Sequence, residues 1–486
     1  MIAINHSPLL QAIKANADKH PSKLAVCLAG GEELTYSQLV ERINSTAAYL
    51  HTQGLKQGDR IAISAQKDLE FIYVYFAAHS LGIVNIVVDA ESNRKKLDYI
   101  LDLMQPRVAF GFDCTQCRCI NYKDITYDCD EVCNASTLTA NDVADLIFTT
   151  GTTGQPKGVQ LSHANIYGSA DNINHFIGNT ENEIEVLGLP LCHSFGLGRL
   201  RCTLIKGATI ILVGNFANLK LFFNAIEQYK ATGFGMVPAV WAYIRKFSGT
   251  RISKYAPQIK YIEIGSAAMP LPSKEELCEL FPNTRICMHY GLTEASRSAF
   301  MEFHECRDRL GTIGKPVCNK VDIRIFDDNG KELPDGESGE LCVKGNMVMS
   351  GYYQKEADRE AWFGDFFRTG DCGYRDSDGW LYLVSRKKEI INIGGKKVSP
   401  VEIEDAINLL DGVEDCICIG VEDPDGILGE VAKCYVQREG CTLSLEEIRH
   451  RIEGKLEAYK IPVQWEWIDE IPKTSSGKKQ RLQLKK

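Results

Sequence analysis

The run Phe148-Thr-Thr-Gly-Thr-Thr-Gly-Gln-Pro-Lys-Gly158 concentrates residue types that bind phosphate. Gly151, Gly154 and Gly158 allow backbone conformations that present amide N–H groups to an anion. Thr149, Thr150, Thr152 and Thr153 add four hydroxyl donors and Lys157 adds a charge. The common nucleotide loop needs Gly-Lys followed by Ser or Thr, whereas here Pro156 precedes Lys157 and Gly158 follows it. A different phosphate-handling arrangement is implied. Sulfur forms a second concentration: Cys114, Cys117, Cys119, Cys129 and Cys133 place five thiols within twenty positions, and the first pair has the two-residue gap of zinc sites. The second pair that a structural zinc site would need is missing.

The elements that must position these residues belong to a chain of 486 residues, enough for roughly two to four domains or subdomains. Apolar residues make up 44% and charged residues 24%, which favours neither disorder nor a membrane-embedded class. The longest apolar runs, such as Thr209-Ile-Ile-Leu-Val213, are strand-sized, so no membrane insertion is expected. The net charge of -9 gives no general attraction to nucleic acid or anionic lipid, which leaves small-molecule chemistry. No secretory signal is visible at the start, so a cytoplasmic location and mostly reduced thiols among the 18 Cys are expected. By charge alone, Lys473, Lys478, Lys479, Arg481, Lys485 and Lys486 read as a solvated basic tail.

The opening third alternates helix and strand signals, which predicts an α/β fold with parallel sheet. Thr35 and Gln38 form a capping box before a helix with Leu39, Ile43, Ala47 and Leu50 on one face and Gly54 at its end. Strands are expected at 60–64, 85–88, 186–190, 209–213 and 261–264, besides Leu146-Ile147-Phe148 ahead of the loop. From about residue 320 the pattern turns antiparallel: strands at 321–326 and 339–343 flank a turn at 327–330. Ser399-Pro-Val-Glu402 and Ser444-Leu-Glu-Glu447 open helices of a last α+β unit, with strands at 414–419 and 430–436 between them.

The loop is similar to the phosphate signature of the adenylate-forming superfamily, which includes acyl- and aryl-CoA synthetases. Five further stretches match that family in order: Pro190-Leu-Cys-His193, Tyr290-Gly-Leu-Thr-Glu294, Thr369-Gly-Asp371, residues 386–389, and Pro472-Lys-Thr-Ser-Ser-Gly-Lys478. The resemblance covers the chain from about residue 145 onward. It implies ATP-dependent activation of a carboxylic acid to an acyl-adenylate with loss of pyrophosphate, then transfer to a thiol.

Carried over residue by residue, the loop with Thr149, Thr150, Gly151, Thr152, Thr153, Gly154 and Lys157 would grip the β- and γ-phosphates. Glu294 would hold Mg²⁺ and Thr293 the α-phosphate, with Tyr290 flanking adenine beside Gly291. Many members carry Gln or Asn two residues before this tyrosine; Met288 stands here, and His289 is an unusual neighbour added to the nucleotide set. Ser266 and Ala267, in the small-residue turn 265–268, would border adenine and the acyl pocket, to which 237–241 would also contribute. Asp371 would accept the ribose hydroxyls and Arg386 would donate to ribose or phosphate. Lys478 would be the catalytic lysine, His193 a gate beside the carboxylate, Lys388 a hinge, and Gly394 with Gly395 part of the thiol tunnel.

Peptide-synthetase relatives place an Asp near 191–197 to bind the substrate ammonium; none stands here, so an acid without an α-amino group is implied. The acceptor would be coenzyme A, or alternatively the phosphopantetheine of a carrier protein; a catalytically inactive nucleotide-binding protein is the reading from another class. The implied fold has a large N-terminal α/β domain, 1–387, with a β subdomain at about 315–384, and a smaller mobile α+β domain, 388–486.

Overall fold

Local signals set the helix ends. Thr35 Oγ1 accepts from Gln38 N at 3.3 Å while Thr35 N donates to Gln38 Oε1 at 2.9 Å, and this reciprocal cap starts the helix Tyr36–Thr52. Leu39, Ile43, Ala47 and Leu50 lie on its buried face. The same device opens His163–Ile177 from Ser162 and Leu445–Ile452 from Ser444. Ser399 caps Pro400–Asn408, with proline at the first turn, where its missing N–H costs nothing.

The computed structural model describes residues 7–65, 68–89, 94–127, 137–150, 156–394, 396–474 and 477–485. The chain divides into two compact units: one formed by Met1–Ile323 with Val343–Phe367, the other by Arg324–Cys342 with Arg368–Lys486.

The first unit is built on two sheets of mixed α/β type. One has nine strands, in the order Lys315–Pro316, Ala299–Glu302, Arg285–Tyr290, Tyr261–Ile264, Gly233–Met236, Ile184–Leu187, Thr209–Leu212, Leu24–Leu28, Glu33–Thr35. Its middle is parallel: Ile264 pairs in register with Met236 on one side and Met288 on the other. Residues at and just past the ends of these strands, including 265–267 and 289–291, therefore lie along one carboxyl edge, where open α/β sheets bind ligands. The second sheet runs Gly351–Tyr352, Pro156–Ser162, Val143–Thr150, Val84–Val88, Arg60–Ser64, Val108–Phe110, Arg118–Ile120.

The strand expected at 186–190 is displaced to Ile184–Leu187. Gly188 lies so close to Phe216 that a Cβ would overlap its ring, and Pro190, with no N–H to donate, cannot extend a ladder. The other expected strands form within three residues of their predicted ends.

In the second unit, Asp371 and Arg386 are register partners on antiparallel strands, and the turn after Asp327 closes through Gly330 N donating to Asp327 O at 3.2 Å. Cys416–Glu422, Glu430–Gln437 and Gln464–Ile468 form a three-stranded sheet. Ile403, Ile407, Ile448 and Ile452 pack with Cys416, Cys418, Cys434 and Val436 into its core. Full burial of each isoleucine contributes about 1.5–3 kcal/mol.

Candidate active site

Residues 151–155 connect two antiparallel strands whose last pairs are Thr149 with Lys157 and Thr150 with Pro156. Gly151, Thr152, Thr153 and Gly154 of the expected phosphate loop fall in that connection, outside the described residues. Its stem is firmly tied. Gly158 N donates to Gln354 Oε1 at 3.0 Å, Gln354 Nε2 donates to Pro156 O at 3.0 Å, and Tyr353 N donates to Gly158 O at 2.8 Å. A Cβ at Gly158 would stand 3.1 Å from the Phe148 ring and 3.3 Å from Tyr353 Cβ, tighter than ordinary contact, so glycine eases the close approach of these strands and the 351–354 segment.

Glu294 reaches this stem from 145 positions away. Thr149 Oγ1 donates to Glu294 Oε1 at 3.3 Å and the Tyr352 hydroxyl donates to the same oxygen at 2.7 Å. Lys157 Nζ lies 4.9 Å from the centroid of the Tyr352 ring, so Tyr352 holds a cation on its face and a carboxylate at its hydroxyl. Leu292 and Ala295 exchange backbone hydrogen bonds of 3.1 and 3.2 Å, a tight turn that sets out Thr293 and Glu294. Among the described residues no group of three His, Cys, Asp or Glu could hold a metal ion by itself. A lone buried carboxylate beside hydroxyls suits Mg²⁺ instead, which takes one or two carboxylates and completes its shell with phosphate and water oxygens.

Past the strand Tyr261–Ile264, Gly265 lies where a Cβ would overlap the His289 ring, and Ser266 takes a φ of 71°, strained for any residue but glycine. Ala267 follows, half-buried, and Tyr290 ends its strand nearly buried. Gly291 faces the backbone of Arg297, which a Cβ would strike. The His289 ring is buried: Nδ1 lies 2.8 Å from Glu263 Oε1, and the ring stands edge-on to Phe195 at 4.7 Å. Burial lowers its pKa despite Glu263.

Glu263 and Glu185 anchor a charge network that the sequence motifs did not signal. Arg199 Nη1 reaches Glu263 at 2.9 Å, Arg297 Nε reaches Glu263 at 3.2 Å, and Arg199 Nε donates to Glu185 at 2.8 Å. Tyr261 and Thr203 hydroxyls donate to Glu185 at 2.8 and 3.0 Å. Two guanidinium groups offset two carboxylates. Burial favours neutral Glu263, but the two arginines and His289 outweigh it and hold its carboxyl below the usual range. Loss of one partner from such a network costs about 3–5 kcal/mol, because it strands a buried charge. His193 is exposed at the N-cap of the helix Ser194–Ile205, and Trp241 is fully buried in the helix Pro238–Ser248.

In the second unit, Arg386 Nε lies 2.6 Å from Asp371 Oδ1, so the two residues expected at ribose pair with each other across the strands. Asp371 N also donates to Thr369 Oγ1 at 3.0 Å. Lys388 is exposed in the turn closed by Glu389 N and Ile390 N donating to Arg386 O at 2.9 and 3.2 Å. Gly394 takes a φ of 56° and its N–H donates to Leu428 O at 2.8 Å; Gly395 lies outside the described residues. Lys478 is exposed, between the half-buried Gly477 and Lys479. Of the sulfur cluster, Cys114 Sγ lies 3.5 Å from both Cys117 Sγ and Cys119 Sγ, and burial with Cys114 alongside pushes Cys117 up to about 12; Cys129 and Cys133 fall outside the described residues.

The AMP-binding enzyme family matches residues 13–353, and the AMP-binding enzyme C-terminal domain matches 402–478. The 2-succinylbenzoate–CoA ligase of Bacillus licheniformis is 28% identical over 483 residues, covering 97% of this chain and 98% of its own. The oxalate–CoA ligase of Arabidopsis thaliana is 30% identical over 496 residues, covering 96% and 95%. Among solved structures, o-succinylbenzoate CoA synthetase from Bacillus subtilis, in complex with its acyl-adenylate intermediate, has a TM-score of 0.88 at 26% identity over 98% of each chain. ATP-bound MatB from Rhodopseudomonas palustris has a TM-score of 0.90 at 25% identity, covering 99% of this chain and 98% of that one. The chain belongs to the AMP-binding enzyme family and is an ATP-dependent, AMP-forming acid–thiol ligase.

Proposed function

We propose that this enzyme activates a carboxylic acid lacking an α-amino group and transfers it to coenzyme A. The observation that carries the reading is the convergence of Thr149 and Tyr352 on Glu294 at the stem of the Gly-Thr connection. A carboxylate oxygen attacks the α-phosphorus of ATP, the bond to the bridging oxygen of pyrophosphate breaks, and pyrophosphate leaves with its electron pair. Both reactants are anions, so alignment and charge neutralisation make up most of the catalysis.

Thr149, Thr150, Lys157 and the connection 151–155 grip the departing phosphates, Thr293 serves the α-phosphate, and Glu294 would hold Mg²⁺, which when bound offsets phosphate charge. The turn 265–267 and residues 289–291 wall the adenine. Asp371 accepts the ribose hydroxyls, and its tie to Arg386 fixes the carboxylate for them. Lys478 supplies the ammonium for the substrate carboxylate and α-phosphate. His193 gates the acid, Lys388 is the hinge for the segment 388–486, and Gly394 with Gly395 accompany the thiol in the second step.

The absence of an acidic residue at 191–197 argues against an amino acid substrate. So does the engagement of Glu185 and Glu263, each already accepting from an arginine. A cytoplasmic location accords with sixteen cysteines among the described residues that are not disulfide-bonded. The test is acid-dependent exchange of labelled pyrophosphate into ATP across a panel of acids, followed by product analysis with CoA and with a holo-carrier protein. Exchange with non-amino acids and a CoA thioester product are expected; exchange confined to amino acids, or acyl transfer only to the carrier, would overturn the reading.

A further inference from the structure

Lys478 is exposed, but the residues around it are tied down. Residues 472–474 and 477–480 are tied to each other: Thr474 N donates to Lys478 O, Gly477 N to Thr474 O and Gln480 N to Pro472 O, each at 2.8 Å. Lys473 and Lys479 then reach separate oxygens of Asp415, at 2.7 and 2.8 Å. Lys479 Nζ also lies 3.2 Å from Glu404 Oε2 on the helix Pro400–Asn408. Arg481 grips Glu404 with two nitrogens, Nε at 3.1 Å and Nη2 at 2.8 Å, and places Nη1 2.6 Å from Glu389 Oε2.

A continuous chain of contacts thus runs Glu389, Arg481, Glu404, Lys479, Asp415. It begins one residue after Lys388 and ends on both flanks of Lys478. Three carboxylates meet three cations, and the Glu404 and Arg481 side chains are only 4% and 9% exposed. Burial works against the charge on Lys479, yet Glu404 and Asp415 overcome it and raise its pKa. A buried ion-pair chain gains little stability over a well-packed apolar one; what it adds is directional, bidentate geometry.

We propose that this chain is a strut that makes the turn after Lys388 and the Lys478 loop move as one piece, with Arg481 and Glu389 as positioning residues for adenylation. The inference rests on the roles given above to Lys478 and Lys388. Without the strut, the loop would follow the hinge loosely and its ammonium would arrive off target, while the thiol step, which does not use Lys478, would proceed.

The test compares Glu389→Gln and Arg481→Lys in the full-length enzyme, measuring pyrophosphate exchange and, separately, thioester formation from preformed acyl-adenylate. Glu389 lies at the edge of the network, so its amide should leave the fold intact, and a lysine at 481 cannot bridge both carboxylates. Each variant is expected to lower kcat for adenylation on the order of tenfold to a hundredfold, with KM for ATP and acid and the thioester step little changed. The double variant should be no worse than Arg481→Lys alone, because a lysine that cannot bridge both carboxylates has already broken the chain that Glu389→Gln weakens. Equal loss in both half-reactions, or no loss in either, overturns the strut. Lys478→Ala, run alongside, separates the two levels: full adenylation in that variant overturns the lysine assignment and the strut with it, whereas its loss together with an unaffected Glu389→Gln overturns the strut alone.

Discussion

Tyr352 is the residue on which the corner proposed for phosphate turns, because one side chain contacts both Glu294 and Lys157. Its hydroxyl donates to an ionised carboxylate, a bond worth about 1.5–3 kcal/mol. Tyr352→Phe keeps the ring beneath Lys157 and removes only that donor. The expected result is a rise in the Mg²⁺ concentration needed for half-maximal pyrophosphate exchange and a fall in rate of about tenfold, read from a Mg²⁺ titration; an unchanged titration would show that Glu294 needs no such orientation. Glu294 itself stands out in the sequence inside Tyr290-Gly-Leu-Thr-Glu294, whereas Tyr352, 58 positions on, carries no local signal. Its partner is set by the pairing of Gly351–Tyr352 with Pro156–Ser162, a contact no short window of sequence contains. For the same reason the pairing of Glu263 with Arg199 and Arg297 was not legible, although each residue sits in a segment whose secondary structure was.

At the scale of elements, a second buried network joins two helices, a strand and a capped helix start in the first unit. Tyr75 and His79, on Leu69–Leu81, both reach Asp145 on Val143–Thr150, at 2.7 and 2.8 Å, and Arg201 on Ser194–Ile205 pairs with the same carboxylate. Burial favours neutral Asp145, but Arg201 and His79 outweigh it and bring it to about 2. His163, at the start of His163–Ile177, stands 5.1 Å from the His79 ring, and burial with that neighbour pushes it from 6.5 down to about 3. The unfolded chain therefore binds a proton at His163 that the native protein does not, between those two values. Stability from this group is complete above about pH 6.5 and is lost as pH falls toward 3. Within that window the unfolding free energy should carry an added slope of up to about 1.4 kcal/mol per pH unit. His163→Gln should flatten it, as measured by denaturant unfolding at several pH values; an unchanged slope would mean that His163 is protonated in the native state. The elements themselves were largely readable, since Thr35, Ser162, Ser399 and Ser444 mark helix starts chemically and alternating apolar residues mark strands. The displaced strand at Ile184–Leu187 was not, because the obstacle at Gly188 is the Phe216 ring from a distant loop.

For the whole molecule, the family relation spans both sequence matches, 13–353 and 402–478, and relatives of nearly equal length. Under the roles proposed above, Lys478 acts in adenylation and not in thioester formation. Lys478→Ala is accordingly expected to abolish pyrophosphate exchange while thioester formation from preformed adenylate remains within about threefold, given that removal of a group acting only in one transition state leaves the other step intact. Equal loss in both would mean that Lys478 maintains structure and does not act in one step alone.

The sequence by itself determined the α/β class, the helix starts, the glycine- and threonine-rich composition of 148–158 and the order of motifs through to Lys478, because caps, periodicity and glycine spacing are local properties of the chain. Only the tertiary structure decided that Tyr352 orients Glu294, that Asp371 and Arg386 hold each other, and that a basic tail read as solvated turns Lys479 and Arg481 inward onto Glu404. Each of these depends on which distant carboxylate lies within about 3 Å of a donor, and that distance is fixed by strand pairing and burial, where a charge without a partner is too costly to keep.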